Sequence, residues 1–578
     1  LRDIPQSVTV ITEKLIDDKN LDTLKAALHS VPGIAFEAGE GGAIGDLVRL
    51  RGFSTRGDIY LDGLRDIAQY NRDTFNQDRV EVLRGSASML YGRGSTGGII
   101  NQVSKQPLLI NQNEVAFTAG TDHYYRLTGD FNLVTGQNAA LRVNVMKTDA
   151  DSFRNGPSTN RRGIAPTFQW GIGTSDEFSV GAYHLEYDDV PDFGFRWLDG
   201  RPVGAAADRW YGTKSDYQDD SATQFFLSHL HRFAGGGQLK TTVRDGHYKR
   251  DLWSTTAGFA AVPAPSSGLA TACSYPAGTV TTPITSISDS SLICRGSQTR
   301  AAKDRHRFVQ TDYSGRFEWL GLKHDLLAGA EYANEQTTTY SYSSTPAKSP
   351  ITWADDGGTA SLNDTRVRAR NTHFESDTTG LYVQDTLSLT PHWKLIAGLR
   401  HDRFSGDYER VAGPLSRTDT VWSRRFGVLY QPTDIVSWYA SYGTSFNASG
   451  DLYQFDPTSA NTAPEKSRNM EVGAKWDLAD GDLSLRAALF RTEKYNERNT
   501  DIDQASNAFL LSGKRHTDGV EFEAVGRVTP AFEVFGGIAW MKGRIDAAGS
   551  SAASQASVGK TPGLLPKVSF KFDYEAEM

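Results

Sequence analysis

Cysteine is nearly absent: Cys273 and Cys294 are the only two in 578 residues. They share one Ser/Thr/Pro-rich segment, and their spacing suits a disulfide stapling a long loop in an oxidising compartment. Neither has a nearby His or a second Cys at ligand spacing, which argues against a metal site. Methionine is scarce too, with five in the chain. There is no run of about 18 apolar residues, so no transmembrane helix is encoded. That gap does not make the chain soluble, because a membrane strand needs only about 9–11 residues with every second one facing lipid. Catalytic signatures are missing as well: no His-x-x-x-His or Cys-x-x-Cys pair and no Gly-x-Ser-x-Gly elbow. No signal peptide precedes Leu1, which reads as lying inside mature sequence. The net charge of -8 argues against nucleic acid as the main partner. It leaves an anionic ligand open, since binding follows the local field.

What is abundant is glycine, at 56 residues, with 23 Tyr, 28 Phe and 11 Trp. Aromatics suit half-buried pleated surfaces and glycine suits bends and turns. From about Glu114 the chain reads as a succession of alternating segments. In Lys567–Tyr574, Val568, Phe570, Phe572 and Tyr574 share one face, while Lys567, Ser569, Lys571 and Asp573 share the other. That is the pattern demanded at a boundary between lipid and a polar lumen. The sets Phe532, Val534, Ile538, Trp540 and Val436, Trp438, Ala440, Tyr442 repeat it. Short links such as Thr433-Asp434 alternate with long polar stretches near 251–303, 335–372 and 444–466. The mean hydropathy of -0.45 fits a polar lumen and polar loops. About eighteen strands can be counted this way.

The first hundred residues differ. Ser7–Ile11, Leu47–Arg51 and Asp58–Leu61 read as strands, and Leu15–Leu28 as a helical region ending near Val31-Pro32-Gly33. The stretch Glu81–Lys105 is a short apolar strand, a run of small residues, then a second strand from Gly98 to Val103. Gly92–Gly98 superficially resembles a phosphate cradle but lacks the Gly-Lys-Ser/Thr that would touch phosphate. Turn geometry and close packing explain it better.

Taken in order, Arg51-Gly52-Phe53, Ile59–Gly63 and Glu81–Lys105 make residues 1–107 resemble the plug domain of TonB-dependent outer-membrane receptors. The resemblance implies an all-β membrane protein: a large antiparallel transmembrane barrel over 109–578 with an α+β plug over 1–108 inside its lumen. Barrels of this kind have about 22 strands. The lower count, and an end at Met578 rather than on an aromatic residue, lead us to expect that C-terminal strands are missing, because an open edge in lipid is unsatisfied. The segment that pairs with the energy-transducing partner, the TonB box, is expected to lie before Leu1. The implied function is import of a ferric siderophore across the bacterial outer membrane. Within that group the aromatic stretches Val190–Pro202 and Arg209–Tyr217 resemble catecholate-type receptors. The implied partners are the TonB complex, the siderophore, and outer-membrane lipid with lipopolysaccharide. The receptor is expected to be a monomer without catalytic residues, resident metal or cofactor, the iron being cargo. Alternatives are another cargo (a hydroxamate, cobalamin, another chelate or a sugar), a passive porin, or an outer-membrane enzyme.

Four charged residues carry over from that family. Arg51 and Arg84 match plug arginines facing the wall, and Glu471 and Glu521 match wall glutamates. Directional guanidinium–carboxylate pairs would hold the plug as a releasable latch, weakening if water entered. The ligand is expected where plug loops meet the outer lumen, at 39–46, 53–57 and 64–75. Arg65 and Arg72 supply cations there, Gln69 an amide and Tyr70 an aromatic face, which match an anionic ferric catecholate. Arg196, Trp197, Trp210 and Tyr211 are the candidates on the barrel side. Arg295, Arg300, Arg305, Arg366, Arg368 and Arg370, in or beside long loops, are read as steering cations or lipopolysaccharide contacts.

Overall fold

A computed structural model describes residues 2–37, 45–194, 197–198, 201–203, 207–259, 285, 287–448, 463–497, 513–548 and 555–576. The N-terminal part is a five-stranded sheet in the order β1 (Val8–Thr12), β7 (Gln77–Arg84), β8 (Gly98–Ser104), β5 (Ile59–Leu61), β6 (Leu64–Arg65). A three-stranded sheet of β2 (Ile34–Phe36), β3 (Val48–Leu50) and β4 (Phe53–Ser54) stands beside it. The expected helical region is two short helices, α1 (Glu13–Asp18) and α2 (Leu24–Leu28). The break has a local cause. Asn20 takes a left-handed φ of 48° and ends the first helix, and the Thr23 hydroxyl accepts from Ala26 N to start the second. Ile11, Leu24, Leu28, Val31, Val80, Val82 and Ile100 form the core, and Phe535 from the barrel wall packs into it. The plug therefore shares its apolar interior with the barrel.

The small-residue run now has its reason. A Cβ on Gly97 would sit 2.1 Å from the Leu50 carbonyl oxygen, and one on Gly98 equally close to that of Leu83. These glycines let β3 and the ends of β7 and β8 touch backbone to backbone, and the short helix α3 (Ser88–Tyr91) fills the connection.

From Gln112 onward, eighteen long strands among the described residues are joined in antiparallel register as one barrel sheet, with Gln112–Ala119 at one end and Val568–Ala576 at the other. The expected face of Val568–Tyr574 is confirmed: Val568, Phe570 and Phe572 are exposed outward while Ser569 is buried. One rim carries short turns, such as Gly136–Ala139, Trp319–Leu322 and Thr529–Phe532, and the other carries the long connections. No helix among the described residues is long and apolar enough to cross a membrane, so the crossing falls to the strands.

Two of the expected long loops are strand at both ends. Gln238–Phe259 and Leu292–Trp319 extend far into 251–303, and Leu322–Ser343 and Val367–Ser388 into 335–372. Past the bilayer both faces of a strand meet water, so alternation of polarity fades although the hydrogen-bonded ladder continues.

Candidate functional site

The plug meets the wall in a buried charge cluster. Arg51 Nη1 donates to Glu471 Oε2 at 2.8 Å, while its Nη2 and Nε donate to Glu521 Oε2 and Oε1 at 2.7 and 3.1 Å. The barrel register explains the convergence. On the strand Leu483–Glu497, Phe490 lies beside Glu471 and Ala488 beside Glu521, so the two glutamates flank one inward-facing strand. The Arg51 guanidinium lies 3.7 Å over the Phe490 ring, between them. Burial works against its charge, but the carboxylates of Glu521 and Glu471 outweigh that and raise its pKa. Arg51 also holds a left-handed φ of 54°, a costly conformation for a residue with a Cβ. The turn into Gly52 aims its side chain at the wall.

All four expected latch residues are thus brought together, Arg84 less tightly. Arg84 lies 3.8 Å from Glu521 and donates to Glu523 at 3.3 Å. Sequence reasoning missed Glu523, which also accepts from Thr9 and from Arg486. It follows Glu521 by two residues and so faces the same way, a signal that was available. Tyr439 was also missed; its hydroxyl and the Ser7 N–H donate to Glu471 at 2.7 and 2.8 Å.

The apical loop is organised differently. Arg65, Tyr70 and Arg72 are buried, and both guanidiniums are already engaged. Arg72 pairs with Asp66 at 2.9 Å and Asp46 at 3.3 Å. Arg65 pairs with wall Glu335 at 3.4 Å, and Arg93 reaches the same carboxylate. The Tyr70 hydroxyl donates to Asp66, as does that of Tyr248 from the wall. Burial would raise the Asp66 pKa, but the charges of Arg72 and Arg244 overcome it and hold the carboxyl below its usual value. Burial does raise Asp46. Gln69 is half-buried and accepts from Arg250 at 2.9 Å. In this conformation both expected ligand cations are engaged within the protein: Arg72 is held inside the loop by Asp66 and Asp46, and Arg65 is tied to Glu335 of the wall.

At the outer rim Trp210 and Tyr211 are buried, neither in a lipid girdle nor open to the lumen. Tyr211 stacks on Trp353 at 5.2 Å within an apolar cluster that includes Val203, Phe259 and Ile293. Arg196 and the Trp197 side chain lie outside the described residues, as does Cys273. Cys294 is disulfide-bonded.

The supposed loop cations sit on strands or at their edges, and each has a partner. Arg305 pairs with Asp245 at 2.8 Å, Arg368 with Asp251 at 3.6 Å, and Arg370 with Glu409. Arg366 pairs with Asp364 at 2.8 Å and lies over Tyr217, Trp253 and Tyr342. Arg295 donates to the Ser349 and Gly212 carbonyls, and Arg300 to that of Thr299. On the side of the short turns, a cavity of about 580 Å³ opens between plug and wall, lined by polar residues such as Asp73, Gln102 and Lys240 and by apolar ones such as Leu61, Phe178 and Phe226.

Residues 1–99 match the TonB-dependent Receptor Plug Domain, and residues 168–577 match the TonB dependent receptor-like, beta-barrel family. The chain belongs to the TonB-dependent receptors. These are outer-membrane β-barrel proteins, and their function is transport. The chain is 30% identical to the catecholate siderophore receptor Fiu of Escherichia coli K12, over 94% of this chain and 75% of that protein. It is 31% identical to the probable TonB-dependent siderophore receptor PiuA of Acinetobacter baumannii, over 96% and 76%. The crystal structure of that PiuA superposes with a TM-score of 0.86 at 27% identity, covering 98% of this chain and 84% of the other. The closed form of E. coli Fiu gives 0.86 at 25% identity, covering 100% and 85%.

Proposed function

We propose that this receptor imports a ferric siderophore of the catecholate class across the outer membrane, driven by a TonB complex. It acts as a monomer, surrounded by lipid and lipopolysaccharide, with iron as cargo and no resident cofactor. The observation that carries the reading is a plug docked in the lumen through buried Arg51, Glu471 and Glu521. A passive pore has no use for an occluding domain held by charge-assisted bonds, whereas a gated importer needs one that an external pull can release. The outer membrane holds no sustained ion gradient. The pull must therefore be transmitted from the inner membrane, where the potential supplies about 2.3 kcal/mol per charge per 100 mV.

The cargo class rests on the relatives named above. A more distant relative, the metal-pseudopaline receptor CntO of Pseudomonas aeruginosa, is 26% identical, so the cargo needs its own test. Tryptophan fluorescence of the purified receptor, corrected for absorbance, is titrated with ferric catecholate, ferric hydroxamate and a pseudopaline-type chelate. Saturable quenching by the catecholate alone is expected. Selectivity for either other chelate would replace the cargo and keep the importer. Uptake that persists without TonB would overturn the importer itself.

A further inference from the structure

Outside the barrel, at the rim with the short turns, three metal-ligand side chains converge. Asp176 opens the strand Asp176–Asp189, and His229 and His231 lie two residues apart near the end of Tyr217–Arg232, on one face. The register sets Asp176 opposite His231 and Phe178 opposite His229. His229 Nε2 and His231 Nδ1 approach the same Asp176 oxygen, Oδ1, at 2.9 and 2.7 Å. All three potential ligand atoms lie within 4.8 Å of one another. The rings are held in place: Phe178 stacks on His229 at 4.4 Å, and Phe233 meets the edge of His231 at 4.6 Å. The Ser175 hydroxyl donates to Asp176 Oδ2 at 3.0 Å, turning Oδ1 towards the imidazoles. The side chains are 35–42% exposed, beside the turn at the rim.

We propose that Asp176, His229 and His231 bind a transition-metal ion of the zinc, nickel or copper class, with solvent completing the coordination. Two imidazole nitrogens and one carboxylate oxygen suit these metals, and offer too few oxygens for calcium. Bonds of about 2.0–2.1 Å to a tetrahedral ion put ligand atoms about 3.3 Å apart. The imidazole-to-carboxylate distances need to open by only about half an ångström, which side-chain rotation supplies. On binding, each neutral ring moves its proton to the nitrogen that does not face the ion. The ion would tie two neighbouring strands together at the rim, away from the ligand entrance. This site is independent of the cargo.

The test uses the receptor purified in detergent without a polyhistidine tag. Calorimetric titration with Zn²⁺ is expected to show one ion per chain. Affinity should fall more than about tenfold in His229→Ala and in His231→Ala. It should be unchanged in His324→Ala, whose imidazole pairs with Asp385 alone at 2.7 Å. Electron paramagnetic resonance of the Cu²⁺ form should show two nitrogen ligands, lost stepwise in the two variants. A ferric-chelate titration in the same variants checks that they are folded. Absence of saturable binding to the folded receptor, or binding that survives in the double histidine variant, overturns the site.

Discussion

Two buried clusters join arginine to carboxylate in this receptor, and their difference is one of sequence distance. Arg51 reaches partners 420 and 470 residues away, across the boundary between plug and wall. Arg72 reaches Asp66, six residues back, and Asp46, 26 back, all within the plug. The Arg51 pairs must break when the plug shifts; the Arg72 pairs travel with it, and among the described residues only the Tyr248 hydroxyl ties Asp66 to the wall. Similar chemistry therefore serves as a latch in one place and as an internal brace in the other.

The sharpest way to break this contrast is Arg51→Ala. It would leave Glu471 and Glu521 buried without their shared cation, a loss of about 3–5 kcal/mol. The plug should become protease-sensitive and cells should admit bulky antibiotics. Intact occlusion would mean that the latch is not what docks the plug. Arg72→Ala should cost about 1–3 kcal/mol, because Asp66 keeps the Tyr70 and Tyr248 hydroxyls. Loop order, read by hydrogen exchange over 64–75, should fall while permeability stays normal. A leak in this variant would erase the distinction between the clusters.

Arg84→Ala should cost about 1 kcal/mol, since Glu523 retains Arg486 at 2.9 Å. Uptake should fall modestly and recover in Arg84→Lys; unchanged uptake in both would remove Arg84 from the latch. Tyr248→Phe removes one hydroxyl from Asp66 and should cost about 1 kcal/mol or less, visible only as faster exchange in the same loop.

The barrel was legible because alternation is dictated by the lipid boundary; Val568, Phe570 and Phe572 announced their face at once. It faded in Val367–Ser388, whose first residues are exposed on both faces. The latch was legible only through family resemblance, since nothing local links Arg51 to a glutamate hundreds of residues away. The brace was not. Arg65, Tyr70 and Arg72 advertise a cationic aromatic surface, and so short a loop segment has no period to reveal that Asp66 is folded back against Tyr70 and Arg72. Glu523 was legible in principle, from its spacing to Glu521. The convergence of Glu335 on Arg65 and Arg93 was not, because it depends on how the plug sits in the barrel.

The strand Leu292–Trp319 has 28 residues. At about 3.3 Å per residue and a tilt of about 45°, such a strand rises about 65 Å, against an apolar band about 25 Å tall. The mouth of the receptor is accordingly a stiff chimney, standing well above the lipid and stitched by backbone hydrogen bonds almost to its top. Whatever recognises the cell from outside encounters this raised collar first.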